Sequence, residues 1–218
     1  MSLIDLFAKG GFMMWPLLAC SVAALAVIID RAWAFYLNSK IDNRALRAKL
    51  MNLVQEGRLE DAQLLCDSTR GPIAAVLLAG LQSYSKHKEM DKHPEALIGV
   101  MEKSMDDYSQ FALSAVEKRL TVLATVSNAA PLLGMAGTVM GMIAAFGTIE
   151  TLKTMDPAAM AGGISEALIT TAAGLLIALA AVIPFSYFSS LAEKISLEIE
   201  ESTTELLDFV ATRVERGS

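Results

Sequence analysis

One acidic residue, Glu166, lies inside a long apolar run, from Pro157 to Ala192, that has no other charged side chain. A carboxylate costs several kcal/mol near the centre of a membrane, so its usual role there is functional. Thr170 and Thr171 follow within the next turn and a half, and their hydroxyls can both donate and accept hydrogen bonds. This pattern indicates a functional group on a pathway inside the membrane. The alternative is that Glu166 sits in a wet vestibule or hydrogen-bonds a neighbouring helix.

A second uncharged run, from Leu120 to Ile149, places polar and small residues roughly on one helical face. These are Ser127, Pro131, Gly134, Thr138 and Gly141. Pro131 predicts a kink that frees backbone carbonyls. Gly137 and Gly141 form a Gly-xxx-Gly pair, which favours close approach of helices. Each threonine alone would be expected to bond to its own helix, but with Glu166 they form a candidate polar lining.

Three apolar runs are long enough to cross a bilayer, since a helical span needs roughly 20 residues. The first run begins at Gly11. It ends at the charged pair Asp30-Arg31, and an aromatic anchor for the membrane interface follows as far as Tyr36. A signal peptide or a lipoprotein cleavage box at Cys20 is disfavoured, because the chain stays apolar beyond that cysteine. We therefore predict an all-α membrane protein with three transmembrane helices, long helical cytoplasmic extensions and a helical cytoplasmic loop.

Most of the 18 lysines and arginines fall between the first and second runs, which places that segment in the cytoplasm. The predicted organisation is a periplasmic N-terminus (1–10), the first span (11–36), a cytoplasmic helical domain (37–119), the second span (120–149), a periplasmic connection (150–156), the third span (157–192) and a cytoplasmic helical tail (193–218). Asp156 is the expected N-cap of the third span, before Pro157 at its first helical position. Glu166 would then lie roughly 13 Å deep at 1.5 Å per residue.

The cytoplasmic segment is expected to be helical throughout. The predicted helices are Asn43–Gln55 with Asp42 as N-cap, Leu59–Cys66 and Ile73–Ser85, separated by Gly57 and by Gly71-Pro72, with a polar turn over His87–Pro94. From Glu95 the apolar spacing predicts one long helix that continues into the second span. The tail carries a matching stripe through Ile195, Ile199 and Leu206.

The composition argues against several other classes of protein. A net charge of -6 and the absence of a basic stripe disfavour nucleic-acid binding. No phosphate loop, nucleophile elbow or zinc motif indicates an enzyme, and no cofactor is expected. His87 and His93 lack metal-ligand spacing, and Cys20 and Cys66 are not expected to form a disulfide.

Two stretches resemble the ExbB/TolQ/MotA proton-channel family. The segment from Ala130 to Met142, APLLGMAGTVMGM, is similar to its second-span signature, and the segment from Gly163 to Leu175, GISEALITTAAGL, is similar to its third. Gly174 belongs to this second signature. Three spans are typical of the ExbB and TolQ branches, whereas flagellar stator subunits have four. The family commonly has a proline near position 180, but here the proline is Pro184.

The resemblance implies a bacterial inner-membrane homo-oligomer, most simply a pentamer, around two copies of an ExbD/TolR-like single-span subunit. That subunit would carry the proton-accepting aspartate, with Thr138 and Thr171 facing it and Glu166 and Thr170 lining the path. Proton flow would drive rotation of the partner and deliver force through a TonB-like protein, with membrane lipids around the ring. A TolQ-like or gliding-type motor, and a non-conducting membrane scaffold, remain open alternatives.

Overall fold

The computed structural model describes residues 5, 7, 9–39, 41–88, 94–152 and 157–216. Every element with defined bounds among these residues is a helix. In chain order they are α1 (Met14–Ser39), α2 (Asn43–Gln55), α3 (Leu59–Ser68), α4 (Pro72–Lys88), α5 (Pro94–Glu117), α6 (Leu120–Leu152) and α7 (Pro157–Arg216). The chain divides into two compact units. The first contains residues 1–31 and 119–188, and the second contains residues 32–118 and 189–218.

Three of these helices, α1, α6 and α7, are long and apolar enough to cross a membrane. The qualifying stretches within the described residues are Met14–Asn38, Leu120–Gly147 and Met160–Thr212. Each exceeds the roughly 20 residues that a bilayer core requires. The prediction of an all-α chain with three candidate spans is therefore confirmed.

In the first unit, α1 buries one narrow stripe. Leu17, Ala24 and Arg31 are buried at seven-residue intervals, and Gly10 continues the stripe before the helix begins. Seven residues are close to two helical turns, so these positions share one face. The opposite face carries exposed apolar side chains such as Val22 and Ile29. A helix with this pattern packs along one line and leaves its remaining surface apolar.

The second unit has its own hydrophobic core. Side chains from α2 to α5 and from the C-terminal part of α7 meet there, with Leu50, Leu77, Met101, Met105 and Leu206 all fully buried. Polar contacts fix α2 along α7: the Asn43 side chain donates to Glu198 at 2.8 Å, and Arg47 pairs with Glu201 at 3.1 Å. The stripe expected along the tail is therefore a packing face.

The residues that begin and end α2 in the second unit are those that the sequence predicted. Asp42 is the N-cap of α2, and its carboxylate accepts from the Ala45 backbone N–H at 3.0 Å. The helix ends at Gln55, just before Gly57, whose φ of +82° suits glycine. The polar turn expected over His87–Pro94 is wrong at its start, because His87 and Lys88 still belong to α4. His93, in the same predicted turn, lies outside the described residues, as does Asp156, the predicted N-cap of the third span.

The expectation of one long helix from Glu95 into the second span is wrong. A turn at Lys118 and Arg119 separates α5 from α6, at the boundary between the two units. No glycine or proline marks this break. Instead, the Arg119 guanidinium donates to Asp30 of α1 at 2.5 Å, and this ion pair fixes the start of α6 within the first unit. The break therefore coincides with a tertiary contact and not with a helix-breaking residue.

Candidate functional site

Small residues bring α6 and α7 into direct backbone contact. A Cβ on Gly134 would lie 3.1 Å from the Thr171 Cα, and one on Gly141 would lie 2.9 Å from the Gly163 carbonyl oxygen. A Cβ on Gly174 would lie only 2.6 Å from the Ala130 carbonyl oxygen. Partner positions fall along α7 as positions rise along α6, so the two helices are antiparallel. This close contact between α6 and α7 positions the polar side chains described next.

Thr171 makes a hydrogen bond from α7 to α6. Its hydroxyl donates to the backbone carbonyl of Gly134 at 3.0 Å, and its side chain is partly buried. The side chains around it, Leu168 and Leu175 on the same helical face, are exposed. The Thr171 oxygen therefore keeps acceptor capacity at the edge of an uncovered apolar surface.

Thr170 points in a different direction from its neighbour, because successive residues of a helix are about 100° apart. It is 1% exposed, and a Cβ on Gly137 would overlap its side chain. Its hydroxyl lies 2.8 Å from the carbonyl oxygen of Gly10 and 2.8 Å from that of Glu166 in its own helix. Thr170 thus lies inside the first unit, joined to the segment that precedes α1.

Glu166 is partly exposed and lies against the same segment. Its carboxylate occupies the space that a side chain on Gly11 would need. Among the described residues no side chain donates a hydrogen bond to this carboxylate. Glu166 and Thr170 are one helical turn apart, so the carboxylate and the buried hydroxyl face the same stretch of chain, Gly10 and Gly11.

Thr138 bonds within its own helix, as a lone threonine is expected to do. Its hydroxyl donates to the Met135 carbonyl at 2.6 Å. Met135 and Val139 beside it are exposed, so Thr138 lies on a surface that this chain leaves uncovered. Pro131 lies inside α6, which continues through it as an α-helix. The site residues of α6 therefore divide into glycines that face α7 and a threonine that does not.

A charged cluster holds the other end of α1 against α6. Asp30 accepts from Arg119 at 2.5 Å and from the neighbouring Arg31 at 2.8 Å. The Arg31 side chain is largely buried, while Asp30 and Arg119 are substantially exposed. The sequence indicated these residues only as boundaries of the spans, and their pairing across 89 positions carried no sequence signal.

Sequence reasoning missed three glycines. Gly10 and Gly11 contact Ile169 and Glu166, and Gly163 packs on Ala145 and Gly141. The pair Gly10-Gly11 before an apolar run, and Gly162-Gly163 one turn before Glu166, are the signals that could have indicated close backbone contacts.

The arrangement places hydroxyl groups and one carboxylate within an apolar bundle. These groups suit hydrogen bonding and proton transfer more than the binding of a metal ion. Metal coordination has no geometric support here: no group of three histidine, cysteine, aspartate or glutamate side chains converges within the part of the chain that is described. The fold and the site together define a multi-pass membrane protein with polar groups along a tightly packed helix pair.

The chain belongs to the MotA/TolQ/ExbB proton channel family, whose pattern it matches over residues 68–201. It is accordingly a multi-pass inner-membrane protein. It is 32% identical to biopolymer transport protein ExbB-like 1 of Synechocystis sp., over 87% of this chain and 71% of that one. It is 29% identical to biopolymer transport protein exbB1 of Vibrio cholerae, over 92% and 85%. It is 28% identical to Tol-Pal system protein TolQ of Haemophilus influenzae, over 94% of both chains.

Proposed function

We propose that this chain is the channel and motor subunit of an ExbB–ExbD type complex that uses proton motive force to energise TonB-dependent transport across the outer membrane. This is a transport role, without catalysis on a small molecule. The observation that carries it is the placement of Thr171: a hydroxyl at an uncovered apolar surface, fixed by a hydrogen bond to Gly134 and one and a half turns from Glu166.

The site needs a partner to complete a proton pathway. Thr138 and Thr171 have exposed apolar neighbours, which is the surface expected where another membrane helix would pack. Within the three predicted spans, 11–36, 120–149 and 157–192, the only aspartate of the sequence is Asp30. Its carboxylate is already held by Arg119 and Arg31. An ExbD/TolR-like single-span subunit would supply the missing carboxylate, two copies of it within a pentamer of this chain.

In this proposal the N-terminus is periplasmic and the C-terminus is cytoplasmic, and the second unit lies in the cytoplasm. The arrangement of basic residues supports this orientation. A TolQ-like role is the second candidate, and the observation in its favour is the near-complete alignment with the Haemophilus influenzae TolQ protein.

The test is expression of the chain with its single-span partner in a Gram-negative host that lacks ExbB- and TolQ-type systems. The partner is sought among neighbouring genes as a one-span protein with an aspartate near the start of its membrane helix. We expect restored TonB-dependent uptake that an uncoupler abolishes. Restoration of outer-membrane integrity alone would assign the TolQ-like role. An assembled complex that restores neither activity would contradict both roles.

A further inference from the structure

The turn that precedes α1 is built against the third span. Gly11 has a φ of +67°, in the left-handed region that favours glycine, and the Glu166 carboxylate fills the position of its absent side chain. Two separate features therefore require glycine at position 11. The first is a backbone conformation, and the second is direct contact with the one carboxylate of the third span.

A buried hydroxyl fixes this turn in place. The Thr170 hydroxyl has one proton and two carbonyl acceptors, Gly10 and Glu166, each at 2.8 Å. The bond to Gly10 joins α7 to a segment 160 positions away, and Thr170 is 1% exposed. Gly10 is itself buried, and a Cβ there would overlap the Met14 side chain and lie 3.5 Å from Ile169.

The Glu166 carboxylate has no hydrogen-bond donor among the described side chains. The backbone of Gly11 packs directly against it, since the carboxylate fills the position that a Cβ on Gly11 would take. A carboxylate with backbone against one side should have fewer accessible rotamers and less access to water on that side, which is a measurable consequence of the contact.

We propose that the Gly10–Gly11 turn is the positioning element of Glu166, and that Thr170 is the positioning residue that holds this turn on α7. The contact itself stands on the geometry, while its importance for proton flow rests on the proposed function. Thr170 then acts through Gly10 and Glu166, without facing a partner subunit.

The first experiment measures access to Glu166 in the full-length chain in membranes. A hydrophobic carbodiimide adds to a protonated carboxyl group, and mass spectrometry quantifies the modified Glu166 peptide at one fixed pH. We expect Gly11→Ala and Thr170→Val to raise the rate of modification several-fold. Thr170→Ser should keep the wild-type rate, because it retains the hydroxyl. The matched control is Gly162→Ala, since a Cβ at Gly162 meets open space. Wild-type rates in both Gly11→Ala and Thr170→Val would overturn the proposal.

The second experiment keeps the test decisive if Gly11→Ala assembles poorly. The effect of Gly11→Ala on thermal stability in detergent is measured in the wild-type and Glu166→Ala backgrounds. The left-handed φ is equally unfavourable for alanine in both backgrounds. The difference between the two losses of stability therefore measures the contact with the Glu166 carboxylate. We expect a smaller loss in the Glu166→Ala background, and equal losses would overturn the contact. Neither readout depends on proton flux, so a confirmed contact in a complex that conducts no protons would refute the proposed function alone.

Discussion

The Thr171 hydroxyl donates its proton to the backbone carbonyl of Gly134, 3.0 Å away on the facing helix. A hydroxyl has only one proton, so in this arrangement Thr171 can only accept from any further group. A protonated carboxyl of a partner helix could donate to it. An ionised carboxylate would have to compete with the Gly134 carbonyl for the proton. The bond between Thr171 and Gly134 is therefore suited to distinguish the two protonation states of a partner.

Replacing Thr171 by alanine should abolish proton-driven transport while leaving the complex assembled. Hydrogen bonds between membrane helices average only ~0.6 kcal/mol, so loss of this bond should reduce stability little. Thr171→Ser should retain most activity, because it keeps the hydroxyl. The control is Thr125→Ala, which removes a threonine of α6 that bonds only to its own helix, at Thr121. Full activity in Thr171→Ala would remove Thr171 from the pathway.

The double variant Thr138→Ala/Thr171→Ala should lose energy-dependent uptake completely. Thr138→Ala alone should have the milder effect of the two single changes, since its hydroxyl bonds to Met135 in its own helix and holds no second helix. Uptake measured with and without an uncoupler, together with the amount of complex extracted from membranes, separates function from assembly. Wild-type uptake in the double variant would refute the role of both threonines.

Glu166→Ala should weaken transport more than Glu166→Gln. Glutamine keeps the length and packing of the side chain against Gly11, whereas alanine leaves a space there. Proton flux into vesicles that contain the purified complex is the direct measurement. If both variants conduct like the wild type, Glu166 has no part in the pathway.

When glycines of α6 and α7 are replaced by alanine, the loss of stability should depend on which atoms the new methyl group contacts. At Gly174 it meets the Ala130 carbonyl and the Gly134 Cα, which are backbone atoms that have little freedom to move. At Gly137 it meets the Thr170 side chain, and at Gly147 it meets open space. We expect losses of about 1–3 kcal/mol at Gly174, similar or smaller losses at Gly137, and almost none at Gly147. Thermal unfolding in detergent checks the order, and an equal effect at all three sites would contradict it.

The second unit should lose stability at high pH through Cys66. Burial raises the pKa of the Cys66 thiol to about 11, and the residue is 2% exposed. The folded state therefore holds the proton more tightly than the unfolded state, whose thiol has a pKa near ~8.5. The stabilisation is complete below that pH and is lost as the pH rises towards about 11. Unfolding of the wild type and of Cys66→Ala should diverge over this interval, and parallel pH profiles would contradict the prediction.

The local features of the fold were predictable because short-range chemistry determines them. Asp42 has an acceptor side chain at the start of an apolar stripe, and Gly57 adopts a left-handed φ at its end. The break at Lys118 and Arg119 was not predictable in this way. No glycine or proline lies there, and the ion pair that Arg119 makes at this point joins it to Asp30, on a helix distant in sequence.

The candidate site was predictable in its residues but not in their directions. Thr170 and Thr171 are adjacent, and the sequence placed both on the pathway. Helical geometry then turns Thr170 towards Gly10 and Thr171 towards Gly134. The contact of Gly11 with Glu166 depends on a turn conformation and on tertiary packing, so no periodicity in the sequence could indicate it.

The backbone contact between α6 and α7 has a mechanical consequence. Side chains absorb displacement by changing rotamers, but Gly134, Gly141 and Gly174 have none to change. No side chains at these positions separate the two backbones, so sliding of one helix along the other would press backbone against backbone. We therefore expect the α6–α7 pair to move as one rigid body, so that a partner helix packed against it would meet a surface of constant shape.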